Sequence, residues 1–149
     1  MVDFSTVKQL RKHSDASMSA CKNALEKADG DMDKAMIFLR EEGNKVAQKK
    51  AARQTGIGII EAYVHTTQRI GALLEIRSET DFVARNPEFQ KLAHDIAMHI
   101  AALSPESISQ LLEQPFIKDE SKTIDDLLKE AIARFGENIQ IAQFSRFEI

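Results

Sequence analysis

The hydrophobic pattern of this chain changes its period at Gly56, and that change limits the possible fold more than any other feature. Before Gly56, apolar residues recur every three or four positions, which is typical of amphipathic helices. After it, residues 60–64 and 70–76 alternate between apolar and other side chains, which is typical of strands. The sequence therefore predicts an α+β protein in which a helical N-terminal part precedes a core with a small antiparallel sheet.

Residues 1–43 contain three short helical patterns separated by turn residues. A first helix is predicted behind Ser5 as its N-cap, a second ends at Asp29-Gly30, and a third begins behind Asp31 and ends at Gly43. Helices this short are not stable alone in water, so we expect them to bury one small core together. The apolar positions available for that core are Val7, Leu10, Met18, Cys21, Leu25, Ala28, Ala35, Phe38 and Leu39.

The next segment, residues 44–55, is rich in alanine and in basic residues, including Lys45, Lys49, Lys50 and Arg53. Because Ala, Lys, Gln and Arg are strong helix formers, the segment is predicted to be a solvated helical linker. A nucleic-acid-binding patch is the alternative, but such a patch would need aromatic or further basic residues. The formal charge of −3 also argues against a chain that binds nucleic acid non-specifically.

Residues 56–149 predict a core built on a β-hairpin whose turn is Thr66 to Arg69. The last residues, 137–149, return to alternation, so they can add a third antiparallel strand. The alternation slips between Ile141 and Phe144, as it would at a bulge. The core is therefore predicted to be a three-stranded sheet with packed helices.

Three helices are predicted between the second and the third strand. The longest begins at Asn86-Pro87, and a shorter one spans Ser107 to Leu112. A third is opened by Thr123 with Asp126, which form the pattern of a capping box, and it stops at Gly136. The buried stripe expected for the longest helix is Phe89, Leu92, Ala93, Ile96, Ile100 and Leu103.

The sequence offers no candidate for a catalytic or metal site. His94 and His99 are five residues apart, about 140° around a helix, so they are poorly placed to share a metal, and we expect the histidines at the surface or half-buried. Gly56 and Gly58 lack the third glycine of a dinucleotide-binding loop. We predict no enzymatic activity, no cofactor, and no direct binding of nucleotides, nucleic acids or membranes. The expected compartment is the cytoplasm, with an organelle matrix as the open alternative.

The segment SETDFVARN, residues 78–86, does not fit a purely structural interpretation. It places Phe82 between the charged residues Asp81 and Arg85 in a connection, and connections usually run over the surface. One possibility is that the ring turns inward, because burial of a large apolar side chain stabilises the fold by roughly 1.5–3 kcal/mol. The other is that the ring is presented to a partner. The pattern alone leaves both open.

Four blocks in order resemble the elongation factor Ts family. They are VKQLRKHSDASMSACKNAL at 7–25, SETDFVARN at 78–86, LLEQPFIKD at 111–119 and GENIQIAQFSRFE at 136–148. The resemblance covers nearly the whole chain. It implies an exchange factor that makes the GTPase elongation factor Tu release GDP, with a ubiquitin-associated-like three-helix module at residues 1–43, a linker at 44–55 and a core at 56–149.

The resemblance also implies two sets of partner-binding residues and a homodimer. The first set enters the GTPase beside its Mg²⁺ site, with Asp81 and Phe82 at its centre, and the second set, on the three-helix module, grips another helix of the GTPase. Ser19 departs from the family, which commonly has a methionine there. Two rival hypotheses stay open: an interaction module without exchange activity, and a nucleic-acid-associated protein that uses residues 45–53. The two sets are Thr80, Asp81, Phe82, Val83, Ala84 and Arg85, and then Arg11, Met18 and Ser19.

Overall fold

A computed structural model describes all 149 residues and contains two compact units. The first unit comprises Met1–Ala52 with Lys129–Gly136, and the second comprises Arg53–Leu128 with Glu137–Ile149. The mixture of helices and antiparallel strands confirms the predicted α+β class. None of the helices is both long enough and apolar enough to cross a membrane. The elements are α1 (Phe4–Ser14), α2 (Met18–Lys27), α3 (Met32–Lys50), β1 (Ile57–Val64), β2 (Ile70–Ser78), α4 (Asp81–Ala84), α5 (Pro87–Leu103), α6 (Ile108–Glu113), β3 (Pro115–Phe116), β4 (Asp119–Thr123), α7 (Ile124–Phe135) and β5 (Gln140–Glu148).

The first unit contains the three predicted N-terminal helices packed around one small core. Leu10, Cys21 and Leu25 at its centre are fully buried. Ser17 caps α2, and Asp31 caps α3 by accepting a hydrogen bond from the Lys34 amide at 3.0 Å. The predicted cap at Ser5 is wrong. The helix already begins at Phe4, so Asp3 takes the cap position, and its carboxylate accepts a hydrogen bond from the Ser5 hydroxyl.

Helix α3 continues through Gly43, so the predicted helix end at that residue is also wrong. Gly43 is not among the glycines with positive φ, so its backbone does not turn the chain out of the helix. A glycine inside a helix costs only about 1 kcal/mol, and the residues that follow are strong helix formers. Residues 44–50 of the basic segment are helical as predicted, and residues 51–55 are not. The helical residues form the last part of α3 rather than a separate linking helix.

The sheet of the second unit has the strand order β1-β2-β5, with both pairs antiparallel. The third strand is antiparallel as predicted, and it pairs with β2. Its register shifts where Glu75 faces Gln143 and Ile76 faces Ile141, which leaves Ala142 as the extra residue of a bulge. Helix α5 packs on one face of this sheet, and its buried stripe includes Phe89, Ala93, Ile96 and Ile100. Leu103, predicted to belong to that stripe, is instead exposed.

The two strands of the hairpin turn their alternating apolar residues to opposite faces. Ile59 pairs with Ile76 and Glu61 pairs with Leu74, so odd positions of β1 share a face with even positions of β2. Leu74 and Ile76 are fully buried under α5, while Ile60 and Val64 are exposed on the other side. The length of the turn fixes this register. The sheet therefore has one covered face and one open face that also carries apolar side chains.

Residues 104–136 begin with the short helix α6 and a second, two-stranded sheet formed by β3 and β4. The short helix is predicted at Ser107 to Leu112, whereas the two-stranded sheet is not predicted from the sequence. The capping box of α7 is confirmed: the Thr123 amide donates to the Asp126 carboxylate at 3.0 Å, and the Asp126 amide donates to the Thr123 hydroxyl at 3.1 Å. The chain leaves α7 at Gly136 with a positive φ of 72°, which suits glycine.

His99 of α5 connects the two-stranded sheet to the core. It was expected at the surface or half-buried, but it is fully buried. Its Nδ1 accepts a hydrogen bond from the Ile117 amide at 3.2 Å, and its Nε2 lies 3.0 Å from Oε1 of Gln114. Because Nδ1 is an acceptor, the ring is neutral and its proton lies on Nε2. Burial lowers the pKa of His99, and the hydrogen bond with Gln114 opposes this only in part.

Candidate functional site

The connection between β2 and α5 is a tightly bonded turn that contains the helical turn α4. Ser78, at the end of β2, is fully buried, and its hydroxyl donates to the carbonyl of Thr80 at 3.0 Å. Thr80 is the N-cap of α4, since its hydroxyl oxygen accepts a hydrogen bond from the Val83 amide at 3.4 Å. The backbone on which the predicted site stands is therefore fixed by its own side chains.

Phe82 projects from this turn into solvent, with 85% of its surface exposed. The next two residues point the other way, because Val83 and Ala84 are only 4% and 1% exposed. Successive side chains of a helix are about 100° apart, so one turn can bury two neighbours and still present the third. The possibility that Phe82 fills its own core is wrong. The ring is the outer tip of an anchored turn.

A charged pair flanks the ring on the same turn. The Arg85 guanidinium lies 2.8 Å from the Asp81 carboxylate, at helical i,i+4 spacing. Both side chains are largely exposed, so the pair contributes little to the stability of the fold. Its two charges are therefore accessible to another protein on either side of Phe82.

Glu137, which lies shortly before β5, is hydrogen-bonded to the base of the turn. Oε1 of Glu137 accepts hydrogen bonds from the amides of Glu79 and Thr80, at 3.2 and 3.0 Å. Oε2 accepts a third from the Thr80 hydroxyl at 2.7 Å. Glu137 is not among the residues predicted for this site. The two positions are 57 residues apart, and no local pattern indicates that they meet.

The second predicted set lies on the first unit and is described by itself. Arg11, in the last turn of α1, and Ser19, in the first turn of α2, are exposed. Met18, the first residue of α2, is partly buried and packs against the core of the three helices. Met18 therefore supports the module as well as offering part of its side chain to the surface.

The structure places no group of three or more His, Cys, Asp or Glu side chains where they could hold a metal ion. Cys21 is fully buried in the three-helix core, where a thiol packs as a small apolar group, as its position on the apolar face predicted. The exposed features of the predicted sites are an aromatic ring and charged side chains. Such an arrangement suits contact with another protein.

Comparison with known proteins identifies the family of the chain. The family model described as Elongation factor TS matches residues 5–110 and 79–149. An elongation factor Ts of Acetivibrio thermocellus is 42% identical over 193 residues, which cover 99% of this chain and 90% of the relative. Those of Thermosipho melanesiensis and Carboxydothermus hydrogenoformans are 40% and 41% identical over 194 residues, with 100% of this chain and 99% and 89% of the relatives covered.

The alignments are longer than the 149 residues of this chain, so these relatives contain segments that have no counterpart here. The family match nevertheless extends over both compact units and includes residues 78–86, where Phe82 is exposed. The chain belongs to the elongation factor Ts family.

Proposed function

We propose that this chain is a guanine nucleotide exchange factor that binds elongation factor Tu in its GDP form and promotes release of GDP, so that GTP can bind again. Membership of the family supports the partner and the overall role. The observation that carries the proposal is the 85% exposure of Phe82 on a turn whose next two side chains are buried. A large apolar ring held away from its own core is available to enter another protein.

The proposed mechanism is displacement of the groups that hold GDP. A GTPase retains GDP through a cation and through backbone donors around the phosphates, so a wedge that moves this region weakens nucleotide binding. Phe82 is assigned as the wedge, with Asp81 and Arg85 as its charged flanks and Thr80, Val83 and Ala84 as the base that holds it. Because the coupling is reciprocal, GDP must weaken binding of the factor by the same ratio.

The energy of this coupling requires contacts beyond the wedge. Reversing a 1:99 equilibrium to 99:1 takes about 5.5 kcal/mol of differential binding. Full burial of one Phe side chain contributes only about 1.5–3 kcal/mol. We assign Arg11, Met18 and Ser19 to a second contact with the GTPase, which supplies binding energy without entering the nucleotide site. The chain itself performs no chemical step in this function, and we place the exchange in the bacterial cytoplasm, where translation takes place.

Release of a fluorescent GDP analogue from elongation factor Tu tests the proposal. We expect the chain to accelerate release in a saturable manner. Binding without acceleration would favour the interaction module that lacks exchange activity. An affinity for RNA that falls steeply with salt would favour the nucleic-acid-associated rival. For the second contact, calorimetry with Arg11→Ala and Met18→Ala is expected to show weaker binding, while wild-type affinity for both variants would remove them from the site.

We also propose that the chain forms a homodimer through the open face of the sheet. The apolar end of that face contains Val64, Gly71 and Phe147 side by side across the three strands, next to Leu73. Val64 and Phe147 are 66% and 71% exposed, and Gly71 between them leaves a shallow groove. A two-fold dimer buries the same patch of both copies, so one apolar face can cover itself.

Light scattering after size-exclusion chromatography tests the dimer. The wild-type chain is expected at twice the monomer mass, and Val64→Lys is expected at the monomer mass because a charge would be buried in the centre of the interface. Ile37→Lys is the matched control, since Ile37 is similarly exposed, at 56%, on α3 of the first unit. A monomeric wild-type chain, or a dimer that survives Val64→Lys, would contradict the proposal.

A further inference from the structure

Two glutamates hold the base of the α4 turn by reciprocal bonds between side chain and backbone. Glu137 accepts hydrogen bonds from the amides of residues 79 and 80 and from the Thr80 hydroxyl. In the other direction, the Glu79 carboxylate accepts a hydrogen bond from the Asn138 amide at 2.7 Å and pairs with Arg53 at 3.3 Å. We call this arrangement, Glu79 with Glu137, the glutamate clasp. It joins two parts of the chain that are far apart in sequence.

The hydroxyl group of Thr80 links the glutamate clasp to the helical turn that carries Phe82. The Thr80 hydroxyl donates a hydrogen bond to Glu137 at 2.7 Å and accepts one from the Val83 amide at 3.4 Å. Since a hydroxyl has one proton and can accept in addition, both bonds form together. The carboxylate of Glu137 is thereby connected to the first turn of α4, on which Phe82 stands. Thr80 is thus the one residue that stands between the Glu137 carboxylate and the helical turn.

Helix α4 depends on such external support because it is only four residues long. A helix of that length is not stable by itself. Burial of Val83 and Ala84 holds its inner side, but the ring of Phe82 is 85% exposed and therefore gains little packing in its own unit that could fix its direction. The orientation of the ring must therefore come from the backbone at the entrance of α4. That entrance is where Glu137 binds two amides and a hydroxyl.

From this geometry we propose that Glu137 is a positioning residue for nucleotide exchange. Its carboxylate fixes the entrance of α4 so that Phe82 is presented in the orientation that enters the GTPase. Hydrogen bonds to a charged acceptor are stronger than those between neutral groups, so three of them restrict the turn effectively. The inference rests on the proposed function, since it assigns Glu137 a role in the same site. It concerns a residue outside the segment that carries the ring.

The test separates the maximal exchange rate from the affinity for the partner. For Glu137→Ala we expect the rate of GDP release at saturating factor to fall roughly tenfold, because a hydrogen-bonded charged acceptor is lost, while the half-saturating concentration changes by less than about twofold. Glu137→Gln keeps one acceptor for the two amides, so an intermediate loss is expected. Glu120→Gln, which removes an exposed carboxylate of β4, is the matched control and should exchange at the wild-type rate.

Amide hydrogen exchange of the free chain measures directly how strongly Glu137 restricts the entrance of α4. In Glu137→Ala, the amide hydrogen of Thr80 is expected to exchange with solvent several-fold faster than in the wild type, because its acceptor has been removed. The amides in the middle of α5 should keep their wild-type protection, which establishes that the core is folded. Wild-type protection of Thr80 in the variant would overturn the assignment. If Glu137→Ala fails to fold, the exchange rate and the Thr80 amide protection are measured on Glu137→Gln, and wild-type values of both would overturn the assignment.

A double-mutant cycle with Phe82→Ala separates this inference from the proposed function. If Glu137 acts only through the ring, Glu137→Ala has no further effect on exchange once Phe82 is replaced. Additive losses would mean that Glu137 touches the GTPase itself, and the positioning role would be wrong. Loss of exchange in Phe82→Ala with a wild-type rate in Glu137→Ala refutes the inference alone. A wild-type rate in Phe82→Ala refutes the wedge role of Phe82, and absence of acceleration by the wild-type chain refutes the proposed function.

Discussion

Lowering the pH from 7 to 5 is expected to destabilise the second unit through His99. The ring is fully buried, and its Nδ1 accepts a hydrogen bond from the Ile117 amide. A proton on Nδ1 would face that N–H, so the folded chain keeps the ring neutral. In the unfolded chain the same imidazole takes up a proton with the ordinary pKa of 6.5. Below that pH the unfolded state binds more protons, and stability falls as the pH falls.

The size of the effect follows from this difference in proton uptake. With a ring that stays neutral in the fold and titrates at 6.5 when unfolded, the free energy of unfolding decreases by at most about 2 kcal/mol between pH 7 and pH 5. A fold of this size is stabilised by only about 5–15 kcal/mol, so the loss is easily measured. The pKa of His99 is lowered in the fold, so the loss develops as the pH falls below 6.5.

Urea unfolding at the two pH values, followed by the fluorescence of Tyr63, measures this loss. Tyr63 is the only tyrosine and belongs to the same unit as His99. The comparison is with His99→Asn, whose side-chain oxygen can still accept a hydrogen bond but cannot take up a proton in this range. All other groups cancel in the difference between the two proteins. Equal pH dependence in the wild type and the variant would refute the neutral, buried state of the ring.

Two further predictions concern local structure. Gly58→Ala should destabilise the fold by about 2 kcal/mol or more, because the new Cβ would clash with the backbone carbonyl oxygen of Ile76. Gly56→Ala, with no atom within 4 Å of its Cβ, is the control, and equal urea midpoints for the two variants would contradict the reasoning. Thr123→Ala removes the hydroxyl that accepts the Asp126 amide at 3.1 Å, so unfolding should become about 1 kcal/mol easier. An unchanged midpoint would show that the cap does not contribute.

Features that depend on neighbouring residues could be predicted from the sequence. The capping box of Thr123 and Asp126 and the glycine at the end of α7 are local signals, and both are confirmed. The bulge near Ile141 was also visible, because a slip in the alternation is the direct consequence of an extra residue. The stop predicted at Gly43 failed because the helix formers on both sides outweigh the modest cost of one glycine.

Features that depend on register or on distant pairing could not be predicted in the same way. The alternation identified both hairpin strands, but only the register shows that Ile60 and Leu74 face opposite sides of the sheet. Likewise, a histidine pattern on α5 does not reveal that His99 is covered by the two-stranded sheet that follows. Glu137 meets Thr80 only after the last strand has joined the sheet. These positions are determined by tertiary contacts between segments far apart in the sequence.

For the same reason, the resemblance indicates which residues belong to the site but not the direction in which each side chain points. The resemblance indicated the segment from Thr80 to Arg85 as one block, whereas the structure separates its members by direction. Asp81, Phe82 and Arg85 are exposed, and Val83 and Ala84 belong to the core. Substitutions at the two buried positions are therefore expected to act on stability first. Their assignment to direct partner contact stays a prediction.

The most direct test of the account is the kinetics of GDP release with Phe82→Ala over a range of factor concentrations. Because the ring is 85% exposed, the free energy of unfolding should stay within about 0.5 kcal/mol of the wild type. The maximal rate of release should fall at least about tenfold, since burial of the ring in the partner is lost. Phe4→Ala, which removes another exposed ring, should keep the wild-type rate. Unimpaired exchange by Phe82→Ala, or collapse of its fold, would contradict the account.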